Sequence, residues 1–231
     1  MQKIRHFHRV TPAILQGIIY LFSLTIFKLF ARIKYEGVEN VINAGKNGQE
    51  PLIFAANHSS EWDGTLIRVG LPYFWAGSPM YYVSQVKEFY IASGWRKMIY
   101  GGTLFNLLGA YPVYSGHHDY AYSLQNYFHI LNHGGNVCIF PEGVRTKTGE
   151  LGRAHGGVAF LASQTGTTVI PVAISGLVRF KVGDFFLGRR RVVIRYGKPM
   201  LPREIVPAET PTVDDYKAGG ARVMAKIAER L

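Results

Sequence analysis

Cysteine occurs once in the 231 residues of this chain, at Cys138. A lone thiol excludes an intrachain disulfide and a cysteine-rich zinc site, and its place inside the apolar run Val137-Cys138-Ile139 assigns it to core packing. Acidic residues are scarce as well: 15 Asp and Glu stand against 26 Lys and Arg, a formal charge of +11. Such an excess favours anionic partners, and on charge alone nucleic acid and anionic lipid headgroups both qualify. No linker, repeat or low-complexity segment divides the chain. Its length suits one domain able to bury about 70% of its unfolded surface.

Long apolar runs are also few. The longest covers Ala13 to Phe30 and is broken by Gln16, Gly17, Ser23, Thr25 and Lys28, which is borderline for a bilayer span of about 20 residues. Basic residues flank both ends, Lys3, Arg5 and Arg9 before it and Arg32 and Lys34 after it, so the asymmetry that orients a transmembrane helix is missing. No small-x-small site follows, and Lys28 interrupts the apolar end, which disfavours a cleaved signal peptide. Residues 1–34 are therefore expected to form an N-terminal membrane-associating helical segment that lies in or shallowly enters the interface. A helix buried in the protein core is the alternative.

Further on, the sequence alternates strands and helices. Leu52–Ala56, Met80–Ser84, Val137–Phe140 and Val169–Ile174 suit buried strands, and Arg191–Tyr196 a strand nearer an edge. Asp119 is placed to cap a helix that runs through Leu131 and stops at Gly134-Gly135, and Ala154–Ser163 reads as another helix. Thr212 caps a C-terminal helix that Gly219-Gly220 weakens. The expected fold class is α/β, with a mixed, mostly parallel central sheet flanked by helices.

Chemistry gathers at two strand ends. In Asn57-His58-Ser59-Ser60-Glu61-Trp62-Asp63, His58 and Asp63 are five residues apart. On a helix that separation rotates the side chains about 140° out of phase, and on a strand it sends them to opposite faces. They can meet only where a strand ends and a helix begins, and there an imidazole takes a proton while a carboxylate fixes its tautomer. Neither Ser59 nor Ser60 lies in a G-x-S-x-G elbow, so no built-in nucleophile is evident. Phe140-Pro141-Glu142-Gly143-Val144-Arg145-Thr146 likewise follows an apolar run, and in an open α/β sheet both clusters can face one crevice.

Together, NHSSEWD and FPEGVRT resemble the glycerolipid acyltransferase family, which includes the 1-acylglycerol-3-phosphate acyltransferases. Lys87-Glu88-Phe89 with Gly109-Ala110-Tyr111-Pro112-Val113 is similar to that family's second block, and Val169-Ile170-Pro171-Val172-Ala173-Ile174 to its fourth. The resemblance covers roughly residues 50 to 175 and implies an acyltransferase domain over residues 35–231. It implies that His58 is the base for an acceptor hydroxyl, that Asp63 orients it, and that the acyl group passes directly from acyl-CoA or acyl-carrier protein as co-substrate. No cofactor and no metal is called for. Arg145 offers a planar fork for phosphate oxygens, and Gly143 lets the backbone approach the ligand. Glu142 orients Arg145 or binds glycerol hydroxyls, and Thr146 and Lys87 complete the expected substrate-binding set.

One departure stands out. Where the family places a basic residue after Gly-Ala-Tyr-Pro-Val, this chain has Tyr114-Ser115-Gly116 and then His117-His118. His117, His118, Lys87 or Arg153 could supply the second phosphate contact, or the acceptor lacks a phosphomonoester. The expected function is acylation of 1-acylglycerol 3-phosphate to phosphatidic acid at an anionic membrane surface, on the cytoplasmic face, with no role for nucleic acid. Another lysolipid such as lyso-ornithine lipid, or glycerol 3-phosphate, is the alternative acceptor. A non-catalytic basic lipid- or RNA-binding protein is the alternative class.

Overall fold

The computed structural model describes residues 10–30, 32–72, 79–84, 106–114, 119–179, 183 and 191–231, with side chains at 22–30, 32 and 47 outside that description. Helix α1 (Val10–Phe30) leads into strand β1 (Arg32–Glu36), helix α2 (Val38–Ala44), strand β2 (Ile53–Ala56) and helix α3 (Asp63–Val69). Next come β3 (Met80–Ser84), β4 (Ala110–Pro112), α4 (Tyr120–Ser123), α5 (Gln125–Asn132) and β5 (Asn136–Ile139). Finally α6 (Gly157–Thr165), β6 (Val169–Ser175), β7 (Arg191–Tyr196), α7 (Pro202–Ile205) and α8 (Val213–Ala228) complete the described strands and α-helices, beside a short 3-10 turn at Lys46–Gly48.

The strands form one seven-stranded sheet in the order β1-β7-β6-β2-β5-β3-β4. Every neighbouring pair is parallel except β6 with β7. At its centre β2 is buried on both faces, which is why its sequence is a continuous apolar run. Ile53 and Ala55 enter a core with α5, α6 and α8, while Phe54 and Ala56 enter a second core with Leu66 and Ile67 of α3 and Val41 of α2. Cys138 belongs to the second core, where burial pushes its thiol far above the ordinary cysteine range. A thiol held protonated there packs as a small hydrophobe.

Several elements depart from the sequence reading. The edge next to β7 is occupied by β1, whose alternation turns Ile33 and Tyr35 inward, so Arg191–Tyr196 is second from the edge. Because β1 starts at Arg32, the segment read as residues 1–34 includes part of the sheet. The helix expected from Asp119 to Leu131 is divided at Leu124, because the Ser123 carbonyl accepts from Tyr114 N at 3.2 Å instead of continuing the helix. Asp119 does cap it, its carboxylate accepting from Ala121 N and Tyr122 N at 2.8 and 3.2 Å. Helix α6 starts three residues later than Ala154, since His155 N donates to Pro141 O at 2.8 Å and holds that stretch as a loop.

Helix α1 packs against α3 and β1. Its Gln16 amide is buried, donating to Met80 O and Leu108 O at 2.6 and 3.0 Å and accepting from Met80 N at 3.0 Å. The opposite side carries Val10, Ile14, Ile18 and Leu21, each more than half exposed. Among the described residues, no helix is long and apolar enough to cross a membrane.

At the other end, α8 runs unbroken through Gly219 and Gly220, which are buried against α6 and the loop before it. The capping box at Thr212 starts it: Thr212 Oγ1 accepts from Asp215 N at 3.3 Å and Thr212 N donates to Asp215 Oδ2 at 2.8 Å. A Cβ on Gly219 would lie 2.7 Å from Ala159 Cβ, and one on Gly220 only 2.5 Å from His155 O. The glycines that propensity marks as a weakness are the surface on which the helix packs. Gly220→Ala gains about 1 kcal/mol of propensity but meets a backbone carbonyl, an overpacking cost of about 1–3 kcal/mol. Urea titration should show net destabilisation; a stabilised Gly220→Ala protein contradicts the packing account.

Candidate active site

Because β2 and β5 are parallel neighbours, the two polar clusters leave the sheet side by side at its carboxyl edge. Asn57 ends β2 with an amide that imitates a ladder partner, donating to Ile174 O at 2.9 Å and accepting from Ile174 N at 2.8 Å. The chain then turns, and His58 Nδ1 lies 2.9 Å from Asp63 Oδ2. An ionised carboxylate only accepts, so Nδ1 carries the proton and Nε2, on the far edge of the ring, keeps its lone pair.

Asp63 is fully buried at the start of α3. It accepts from Ser59 N at 2.6 Å, Ser60 N at 2.8 Å, Ser60 Oγ at 2.7 Å and Ser59 Oγ at 3.3 Å besides the imidazole. Both serine hydroxyls are thus committed as donors to the aspartate. Among the described residues, neither is hydrogen-bonded to an imidazole or amine that could activate it as a nucleophile.

The second loop closes over the first. The His58 ring stacks on Phe140, centroids 4.0 Å apart and planes 16° from parallel. His58 N donates to Glu142 Oε1 at 3.0 Å, and His58 O accepts from Thr146 N at 2.8 Å. Glu142, only 4% exposed, accepts with its other oxygen from Gly152 N at 2.7 Å. Sequence reasoning aimed this carboxylate at Arg145 or at glycerol, whereas both of its oxygens accept from backbone N–H groups. Gly143 takes φ +70°, a conformation that favours glycine, and its N–H closes the turn on Phe140 O at 2.9 Å. Thr146 Oγ1 accepts from Gly149 N at 3.0 Å, so its hydroxyl shapes the same loop.

A cavity of about 570 Å³ opens beside these loops. His58, Glu61, Gly143, Val144, Arg145 and Lys147 of the two loops are in its lining. Ile19 and Tyr20 of α1, with Val69, Val83, Leu108 and Val113, are among its apolar lining residues. The Arg145 guanidinium is half exposed and meets Glu61 Oε1 with Nη1 at 3.3 Å. Arg153 is exposed and outside the lining, while Lys87, His117 and His118 lie outside the described residues. Sequence reasoning missed Lys147, whose signal was its place two residues beyond Arg145. It also missed buried Arg68, which lines the cavity with its guanidinium 5.4 Å from the centre of the Tyr20 ring. Among the described residues no cluster of His, Cys, Asp or Glu could hold a metal.

Fold and site together define an α/β protein with a histidine–aspartate pair facing a mostly apolar cavity and cations at its mouth. The chain belongs to the acyltransferase family, which residues 32–175 match, more than half of its length. Among curated proteins, a chloroplastic 1-acyl-sn-glycerol-3-phosphate acyltransferase of Arabidopsis thaliana is 27% identical over 157 residues, 67% of this chain and 38% of that protein. One from Brassica napus is 26% identical over 156 residues, 67% of this chain and 40% of the relative. The chain thus spans about two fifths of the length of these relatives. Among solved structures, the 1-acyl-sn-glycerophosphate (LPA) acyltransferase PlsC of Thermotoga maritima shares the fold, with a TM-score of 0.58, 17% identity and 96% of each chain covered.

Glu142 provides a direct test of how the loops are joined. Glu142→Gln keeps one acceptor oxygen but turns an amide N–H₂ toward the other backbone donor, leaving a part-buried N–H without its partner at about 1 kcal/mol. Urea unfolding should register that loss, and Glu142→Gln as stable as the parent protein would contradict the two hydrogen bonds accepted by this carboxylate.

Proposed function

We propose that this protein transfers a fatty acyl group from acyl-CoA or acyl-carrier protein to the free hydroxyl of 1-acylglycerol 3-phosphate, giving phosphatidic acid. The observation that carries the reading is the imidazole held at Nδ1 by a buried aspartate, with its ring lining a cavity that also presents Arg145. The names of the two curated relatives support the acceptor. His58 Nε2 takes the hydroxyl proton as that oxygen attacks the thioester carbonyl. The new C–O bond forms, the C–S bond breaks, and the imidazolium returns the proton to the leaving thiolate. General-base catalysis contributes about 10²–10⁴-fold, so positioning by the cavity must supply the remainder.

In this reading Arg145 binds the acceptor phosphate, Gly143 lets the backbone come close, Thr146 keeps the loop in place, and Lys87 adds charge. The apolar lining takes an acyl chain. His58→Ala should lower kcat at least about 10²-fold, and Asp63→Asn nearly as much because the tautomer is no longer fixed. Arg145→Lys should raise KM for the acceptor more than for the donor, since an ammonium keeps the charge but loses the fork. Thiol release that depends on added acceptor measures all three. A covalent acyl-enzyme trapped on Ser59 or Ser60 refutes direct transfer. Higher activity on a phosphate-free lysolipid, with Arg145→Lys silent, replaces the acceptor with one of the lyso-ornithine type.

The site of action in this reading is a membrane surface, on the cytoplasmic face. The stripe Val10, Ile14, Ile18 and Leu21 recurs at helical spacing on the solvent side of α1, and the net charge of +11 suits an anionic leaflet. Ile14→Glu with Ile18→Glu in the full chain should release protein from anionic vesicles more than added salt does, because apolar insertion is not screened. Full-length protein that stays in the supernatant with such vesicles at low salt contradicts the membrane assignment.

A further inference from the structure

The fork expected to receive the acceptor phosphate already has an anion beside it. Glu61 projects from the turn between His58 and Asp63, and its Oε1 is 3.3 Å from Arg145 Nη1. Both side chains are partly in water, 39% and 47% exposed, and both line the cavity with His58 and Lys147. A charge-assisted N–H···O bond at full strength is about 2.7–2.9 Å long, so this contact is a loose one. Exposed pairs of this kind are worth about 0–1 kcal/mol. A carboxylate and a phosphate accept from the same guanidinium donors. The phosphate brings three oxygens and about −1.5 to −2 charges, where the carboxylate brings two and −1.

We propose that Glu61 is a specificity-determining residue that competes with the acceptor phosphate for Arg145 and must leave the guanidinium when that phosphate binds. The proposal rests on the assignment of a phosphorylated acceptor and deepens it. Glu61 holds the guanidinium at the cavity mouth between turnovers, then becomes a like charge next to the incoming dianion. Its exposure gives the carboxylate an exit into water. Lys147, also in the cavity lining, offers a second cation to the phosphate. Because substrate and product carry the same phosphate, the competition acts on both: it weakens acceptor binding and helps phosphatidic acid to leave. A lysolipid without phosphate displaces nothing and is unaffected.

Glu61→Gln in the full chain separates this from a merely structural role. It should lower KM for 1-acylglycerol 3-phosphate about two- to fivefold, the change equivalent to about 0.4–1 kcal/mol. The inhibition constant of phosphatidic acid should fall by a similar ratio, and KM for the acyl donor should not follow. In an Arg145→Ala background the same substitution should lose more than half of its effect, because the two residues act on one ligand. Glu61→Ala should repeat the direction. A KM for the acceptor that is unchanged or raised in both variants overturns the proposal while leaving the acceptor assignment standing. Failure of the parent protein to acylate 1-acylglycerol 3-phosphate overturns both, and is read from the parent alone.

Discussion

A carboxylate with no exposure to water organises this molecule's candidate active site. Asp63 takes five hydrogen bonds, from one imidazole, two backbone N–H groups and two hydroxyls. Burying an ionised group is costly unless its oxygens are satisfied, and here the satisfaction comes from its own turn. The turn between β2 and α3 is therefore shaped around the charge, with His58 as one of its donors. Serines 59 and 60 belong to the same enclosure, which accounts for small hydroxyl residues between the two members of the pair.

A second buried carboxylate does for the two loops what the first does for one. Glu142 connects the His58 backbone to Gly152, and Thr146 N returns a bond to His58 O. Both are possible because β2 and β5 are hydrogen-bonded neighbours. The imidazole is held at its edge by Asp63, on its face by Phe140, and at both backbone groups by the second loop. Little freedom remains to a side chain whose partners are all fixed, the preorganisation that proton transfer requires.

The sequence revealed those features that follow from local geometry. The separation of His58 and Asp63 demanded a turn, and the two meet at 2.9 Å in one. Runs such as Ile53–Ala56 and Val169–Ser175 were legible because strands covered on both faces are apolar throughout. Strand β1 was overlooked because its alternating Arg-Ile-Lys-Tyr-Glu adjoins an apolar helix, and β4 because three residues carry no period. The contacts of Glu142 were out of reach, since they depend on which strands are neighbours, and β2 pairs with segments about 80 and 115 residues away. Gly219 and Gly220 misled for a similar reason: propensity is a property of the helix, and their value lies in what the helix touches.

Those glycines put the far end of the chain in mechanical series with the imidazole. Gly220 rests against the His155 carbonyl, His155 N bonds Pro141 O, and the next residue is Glu142, whose carboxylate holds the His58 backbone. The first joints in that succession are backbone contacts, and the last runs through the Glu142 side chain, which a second hydrogen bond from Gly152 N holds in place. Helix α8 thus works as a buttress: none of its residues is in the cavity lining, yet it supports the loop whose carboxylate holds the histidine's backbone. Substitutions along its buried face are expected to reach the candidate active site as alignment errors, at a distance in sequence where no motif would look for them.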